Sequence, residues 1–276
     1  MSAGIIAAAV VPHVPTLGLP ENTPDFQLTL VEGARAMGRA LRALEPDLLV
    51  VNSSHWICTF GWYATCQAVH AGVCVADEAP DLIPGISYRR KGDSEFAAAL
   101  VDAWQAQAIP GGRNETPHYA WDYGSLVPLL YLDPDALLPV VQIPTVILSN
   151  HAECMQAGRA VHATAKRLGR RVAYIASTAF THELVRGRHF KPTAEREALD
   201  QKFIDQLKRG AVTEAIAGFA EYSRAVVAEM NGKPLAAMLG ALQALREDGA
   251  ALAGEQYGGY AQSSGSGNAS VMVRAR

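Results

Sequence analysis

Cysteine is scarce in this chain and never paired at short spacing. The four, Cys58, Cys66, Cys74 and Cys154, form no CxxC motif, so neither an iron–sulfur ligand run nor a zinc ribbon is supported. No disulfide framework is visible, and a reducing cytoplasm is the expected compartment. An excess of one charge is missing too. The formal net charge is −3 over 276 residues, with no basic block, which argues against a nucleic-acid or polyanion partner. No apolar run is long enough to span a membrane. The apolar start, Ile5 to Val11, lacks the charged flank of a signal peptide and runs into Pro12-His13-Val14-Pro15, so it reads as a buried first strand. Repeats, low-complexity blocks and interdomain linkers are also absent.

What remains is an ordinary globular balance, 49% apolar and 18% charged. It fits one α/β domain over residues 1–276, a mixed central sheet covered by helices. Three apolar runs each lead into a small or polar stretch and then a histidine: GIIAAAVVPH ending at His13, DLLVVNSSHW with His55, and RRVAYIASTAFTH ending at His182. Runs rich in Val, Ile and Ala read as strands buried on both faces of a parallel sheet. Ligands of open α/β sheets bind outside the carboxyl ends of the strands. One pattern therefore puts three imidazoles on one rim. Imidazole is the commonest metal-binding side chain and a proton shuttle near neutral pH.

The segments between follow the same logic. Phe26 to Leu44 has helical spacing and Leu48 to Val51 is the next strand, a right-handed βαβ unit that sets His13 and His55 at one sheet edge, on neighbouring strands. Thr59 to Val75 holds a strand or a hairpin. Asp77 to Lys91 is loop-like, and Arg89 and Arg90 read as an exposed pair. Ser94 to Gln107 is helical, Pro110 to Gly124 irregular, and Leu137 to Leu148 a strand. Glu153 to Leu168 is a helix, and Arg171 to Ser177 a strand. Thr193 to Leu245 is helical, broken at Asn231-Gly232-Lys233-Pro234. Tyr257 to Gly267, rich in Gly and Ser, reads as a loop over the site, before a short strand Ala269 to Val273.

A lone strand-end histidine is ordinarily a hydrogen-bonded loop residue. Two on neighbouring strands are half of the two-histidine, one-carboxylate triad of non-haem Fe(II) oxygenases. Spacing does not choose the carboxylate: Glu21, Asp122, Glu183, Glu229 and Glu255 stay open. Glu229 falls in the last turn of an expected helix, where the dipole disfavours a carboxylate and a bound cation would reverse the penalty. His118 and His151 are further candidates for contact with substrate. His70, His162 and His189 read as surface or packing residues.

Six segments in order carry a resemblance: IIAAAVVPHVP, PDLLVVNSSHW, WDYGSLVPLLYL, VAYIASTAFTH, AEMNGKPLAAMLGAL and SSGSGNA. Through them the chain resembles the class III extradiol ring-cleaving dioxygenases, the superfamily of the protocatechuate 4,5-dioxygenase catalytic subunit. It is most similar to the homoprotocatechuate and 2-aminophenol branches. The resemblance implies that His13, His55 and Glu229 ligate Fe(II), that His182 is an acid/base beside the metal, and that Tyr123 is a pocket tyrosine. It implies a small aromatic substrate and O2, with the ring chelating the metal through two adjacent oxygens, or one oxygen and one amine. Thr181-His182 replaces the family's serine–histidine step, and Glu183 stands where relatives often carry a large or basic residue, so the preferred ring stays open among catechols, aminophenols and hydroxypyridones. A homo-oligomer is expected. Two other classes compete: a non-catalytic partner subunit, which would have lost the metal residues, and a zinc hydrolase using the same triad.

Overall fold

The computed structural model describes residues 3–276. Strand β1 (Gly4–Val11) opens the chain, followed by helix α1 (Leu28–Arg42) and the long strand β2 (Leu48–Cys58). Short strands β3 (Trp62–Thr65), β4 (Val69–Cys74) and β5 (Ile86–Lys91) precede α2 (Ser94–Gln105), and β6 (Gly111–Asn114) precedes α3 (Tyr123–Leu132). Then β7 (Val140–Val146), α4 (His151–Arg167) and β8 (Arg171–Ser177) alternate. Helices α5 (Ala194–Lys208), α6 (Val212–Ala225) and α7 (Lys233–Glu247) lead to the closing pair β9 (Leu252–Ser263) and β10 (Ser266–Ala275).

The main sheet has six strands in the order β7-β2-β8-β1-β10-β9. The first four run parallel, and β10 and β9 complete it antiparallel. The mixed α/β architecture expected from the apolar runs is therefore present. One detail differs: β1 and β2 are not neighbours, because β8 lies between them.

The sheet separates two apolar cores. Ala8 and Val10 of β1 face a core with α2, α4 and α7, while Ala7, Ala9 and Val11 face α1 and α3. This alternation is the two-residue period of a strand buried on both sides. Helices α4 and α7 approach so closely that a Cβ on Gly158 or Gly240 would collide with the other helix's backbone.

Several expectations need correction. Asp77–Lys91 contains a strand, β5, paired antiparallel with β4, and β3 pairs in parallel with β6 from the region read as irregular. Arg90 is buried rather than exposed, because alternate residues of β5 point inward. Its guanidinium donates to Asp133 Oδ2 at 2.9 Å and to the Leu129 and Asp133 carbonyls. Replacing Arg90 with Met leaves the fully buried Asp133 carboxylate without its cation. A loss of about 3–5 kcal/mol is expected in urea unfolding.

Helix α3 leaves no periodic signal in the sequence, because nearly every residue in it is buried and a helix buried all round has no amphipathic period. The glycine-rich tail is not a loop but the β9–β10 hairpin. Its two-residue turn, Ser264-Gly265, has positive φ at both positions, as a type I′ hairpin turn requires. Among the described residues, no helix is long and apolar enough to cross a membrane.

Candidate active site

The parallel strands deliver their histidines to one rim, as their carboxyl ends dictate. His13 follows β1 directly and is 6% exposed. His55 lies inside β2 at an irregularity: between Asn52↔Ile143 and Ile57↔Thr145 the strand advances five residues while β7 advances two. Such bulges re-aim side chains beside active sites. Here Ser53 Oγ accepts the backbone N–H of His55 and donates to Asp122 Oδ1 at 2.6 Å. Asp122 also caps α3 through the Ser125 N–H and hydroxyl. Its oxygens are thereby engaged, which removes it from the candidate metal ligands.

Glu229 is not in the last turn of a helix. Helix α6 ends at Ala225, and Glu229 begins a short 3-10 turn, Glu229–Gly232, in which Met230 and Asn231 have left-handed φ. No helix dipole opposes its charge there; Glu229 is instead buried, 4% exposed. Oε2 accepts from the Ala179 N–H at 2.6 Å and the Thr178 hydroxyl at 3.1 Å. Oε1 faces the histidines. It is 3.2 Å from His13 Nε2, 3.8 Å from His55 Nε2 and 3.7 Å from His182 Nε2. The remaining carboxylates, Glu21, Glu183 and Glu255, are exposed, and Glu183 pairs with Arg196.

The intervening strand β8 organises both His13 and Glu229 from beneath. The Ser177 hydroxyl donates to the Gly124 carbonyl at 2.5 Å, so it can only accept from His13 Nδ1–H, 3.1 Å away. His13 is thereby held in the tautomer whose Nε2 lone pair points at Glu229. Thr178, next along, holds Glu229. Losing this outer support costs metal ligands about 10–100-fold in affinity. Ser177→Ala is expected to weaken divalent-metal binding by that factor in a calorimetric titration, with the fold unchanged.

The electrostatics fit a cation. Burial pushes the Glu229 carboxyl up, but His13, His182 and His55 outweigh it and hold it well below the usual carboxylate range. Burial disfavours a charge on His13, yet the Glu229 carboxylate raises it overall. Burial and then the His13 charge push His55 down to about 4. A carboxylate oxygen 3.2 Å from an imidazole nitrogen needs a positive charge between them, and either a proton or a divalent ion supplies it. Ligand atoms of His13, His55 and Glu229 all lie within 4.8 Å of one another.

His182 stands outside that set but beside it. Its N–H donates to the Val227 carbonyl and it bridges to Ser266 on β10, which ties it to both the Glu229 segment and the hairpin. The Tyr123 ring packs 4.1 Å from His55, centroid to centroid. Burial, followed by the Glu78 carboxylate, pushes its phenol far up. These residues line a cavity of about 300 Å³ with Glu78, Leu184, Ser264, Ser266 and Asn268.

His118 and His151 are not among the lining residues. His118 is exposed. His151 bonds the Asn231 carbonyl at 2.7 Å and packs edge-on to Phe219, so it braces the turn that holds Glu229. His70 and His162 are buried packing residues, as expected, the second bonded to the Ile5 N–H and Asp248. Glu78, Ser177 and Thr178 carried no sequence signal, since their roles depend on partners distant in the chain.

Two histidines from the carboxyl-terminal rim of the parallel strands and a carboxylate from the turn after α6, opening onto a cavity, define a candidate mononuclear metal centre with open positions. Residues 7–268 match the family described as the catalytic LigB subunit of aromatic ring-opening dioxygenase. The chain belongs to that family of ring-cleaving oxidoreductases. It is 22% identical over 252 residues to the 3,4-dihydroxyphenylacetate 2,3-dioxygenase of Escherichia coli, covering 88% of this chain and 91% of that one. It is 26% identical over 192 residues to a 2-aminophenol 1,6-dioxygenase beta subunit from a Pseudomonas species, covering 64% and 63%. The fold also matches the crystal structure of the uncharacterized protein JW3007 from Escherichia coli K12, with a TM-score of 0.65, 18% identity and 97% and 99% of the two chains covered.

Proposed function

We propose that this protein is an Fe(II)-dependent extradiol dioxygenase that opens a catechol-like ring and inserts both atoms of O2, in the degradation of aromatic compounds. The observation that carries this reading is the convergence of His13, His55 and Glu229 Oε1 at one wall of a cavity, in a chain of the ring-opening family. These three residues would hold the metal. Bound Fe(II) supplies a Lewis acid with open positions for the adjacent ring oxygens and for dioxygen.

The chain's own groups do the rest. His182 reaches into the cavity 3.7 Å from Glu229 Oε1, in place to take a proton from a ring hydroxyl and return it during ring opening. Neutral Tyr123 forms the wall behind His55 and offers a hydroxyl. The β9–β10 hairpin contributes Ser264, Ser266 and Asn268 to the lining. Tyr123→Phe deletes one hydroxyl while keeping the ring. A hydrogen bond is worth about 0.5–1.5 kcal/mol net, so turnover should fall several-fold with iron content unchanged. Wild-type rates at saturating and low substrate would assign Tyr123 to packing alone.

The test is to load the protein anaerobically with Fe(II), or with Zn(II) in parallel, and screen catechols and 2-aminophenols for O2 uptake and a yellow ring-opened product. Uptake with iron alone supports the reading. Hydrolysis of an ester or amide with zinc, without oxygen consumption, would replace it with a hydrolase.

A further inference from the structure

The cavity has a charge pattern that the metal triad does not explain. Its lining includes two carboxylates, Glu229 and Glu78, and no lysine or arginine. The charge of Glu229 is matched by the imidazoles around it and the cation they would bind. Glu78 is the excess. It lies on the segment between β4 and β5, with its side chain 56% exposed and Oε1 3.8 Å from His55 Nδ1. Its other neighbour is the Tyr123 phenol, so no cation of the lining neutralises it. Arg186 and Arg188, on the segment after His182, are exposed and do not line the cavity.

A ring seated at the triad shares its cavity with Glu78, which lines it beside His55 and Tyr123. A carboxylated substituent in that cavity meets a like charge, with no guanidinium or ammonium in the lining to offset it. Like charges juxtaposed in a partly desolvated cavity are a means of rejecting ligands. The apolar walls, Val14, Pro15, Ala79 and Leu184, suit an alkyl substituent. We propose that Glu78 is a specificity-determining residue, and that the cavity selects rings whose substituent is neutral or amino-bearing over rings that carry a carboxylate. This inference rests on the ring-cleavage reading and narrows its substrate class.

The test compares two rings of similar size, the neutral 4-ethylcatechol and the anionic 3,4-dihydroxyphenylacetate. Each is titrated into the Fe(II)-loaded protein under argon, and affinity is read from binding alone. The neutral ring should bind about tenfold tighter at low salt, and the gap should shrink at high salt as the repulsion is screened. Glu78→Gln should bring the two affinities within about threefold. Iron content is measured alongside; a change in it moves both ligands together, so the ratio remains the readout. Equal or tighter binding of the carboxylated ring to the wild type, or an unchanged ratio in Glu78→Gln, would overturn the proposal. O2 uptake with the better-bound ring is recorded separately. Failure there, with the charge preference intact, counts against ring cleavage and leaves the selectivity of the cavity standing.

Discussion

Glu229→Gln is expected to abolish tight metal binding while leaving the fold intact. Glutamine has the shape of glutamate, so its carbonyl oxygen can still accept from the Ala179 N–H and the Thr178 hydroxyl. Its amide nitrogen then faces His13, His55 and His182, and an amide N–H cannot ligate a cation. The anionic charge is gone as well. Loss of an outer-shell partner already costs about 10–100-fold in metal affinity; loss of the only carboxylate among the three ligands should cost at least about 100-fold. Calorimetric titration with Fe(II) under argon measures this directly. Near wild-type affinity would remove Glu229 from the metal set. Glu21, Glu183 and Glu255 do not line the cavity, so Glu78, its other carboxylate, would be the next to test.

His182→Ala carries the second large effect, in the opposite pattern. His182 touches the edge of the triad without belonging to it, and its backbone bonds to Val227 and Ser266 persist in alanine. Iron content and substrate affinity should change little. Turnover should fall by about 10²–10⁴-fold, the contribution of a positioned acid/base. Loss of iron in this variant would make His182 a ligand.

The histidines were legible because parallel strands buried on both faces are continuous apolar runs, and each run here ends at the same rim. Strand β8 spans the expected residues, Arg171–Ser177. The order of the strands was not legible: nothing local says that β8 inserts between β1 and β2, yet that insertion is what places Ser177 and Thr178 beneath His13 and Glu229. The route to Glu229 was wrong in its physics. Positive φ at Val227, Met230 and Asn231 ends the helical path early, and no periodicity announces such a turn. The family resemblance points to Glu229 independently of its local structure. The hairpin β9–β10 was hidden by its glycines and serines, which signal loops when strand pairing is unseen. Glu78 looked like part of a polar connection, and only the packing of its segment against His55 and Tyr123 gives it a place in the cavity.

We propose that His13, His55 and Glu229 hold the metal at which dioxygen opens an aromatic ring. The most direct measurement supplies heavy-isotope dioxygen to the Fe(II)-loaded protein with a catechol, then reads the product by mass spectrometry. A ring-opened product that carries both atoms of one O2 is expected, and no such product from Glu229→Gln. Product that takes its oxygen from water, or equal yield from the Glu229→Gln protein, would contradict it.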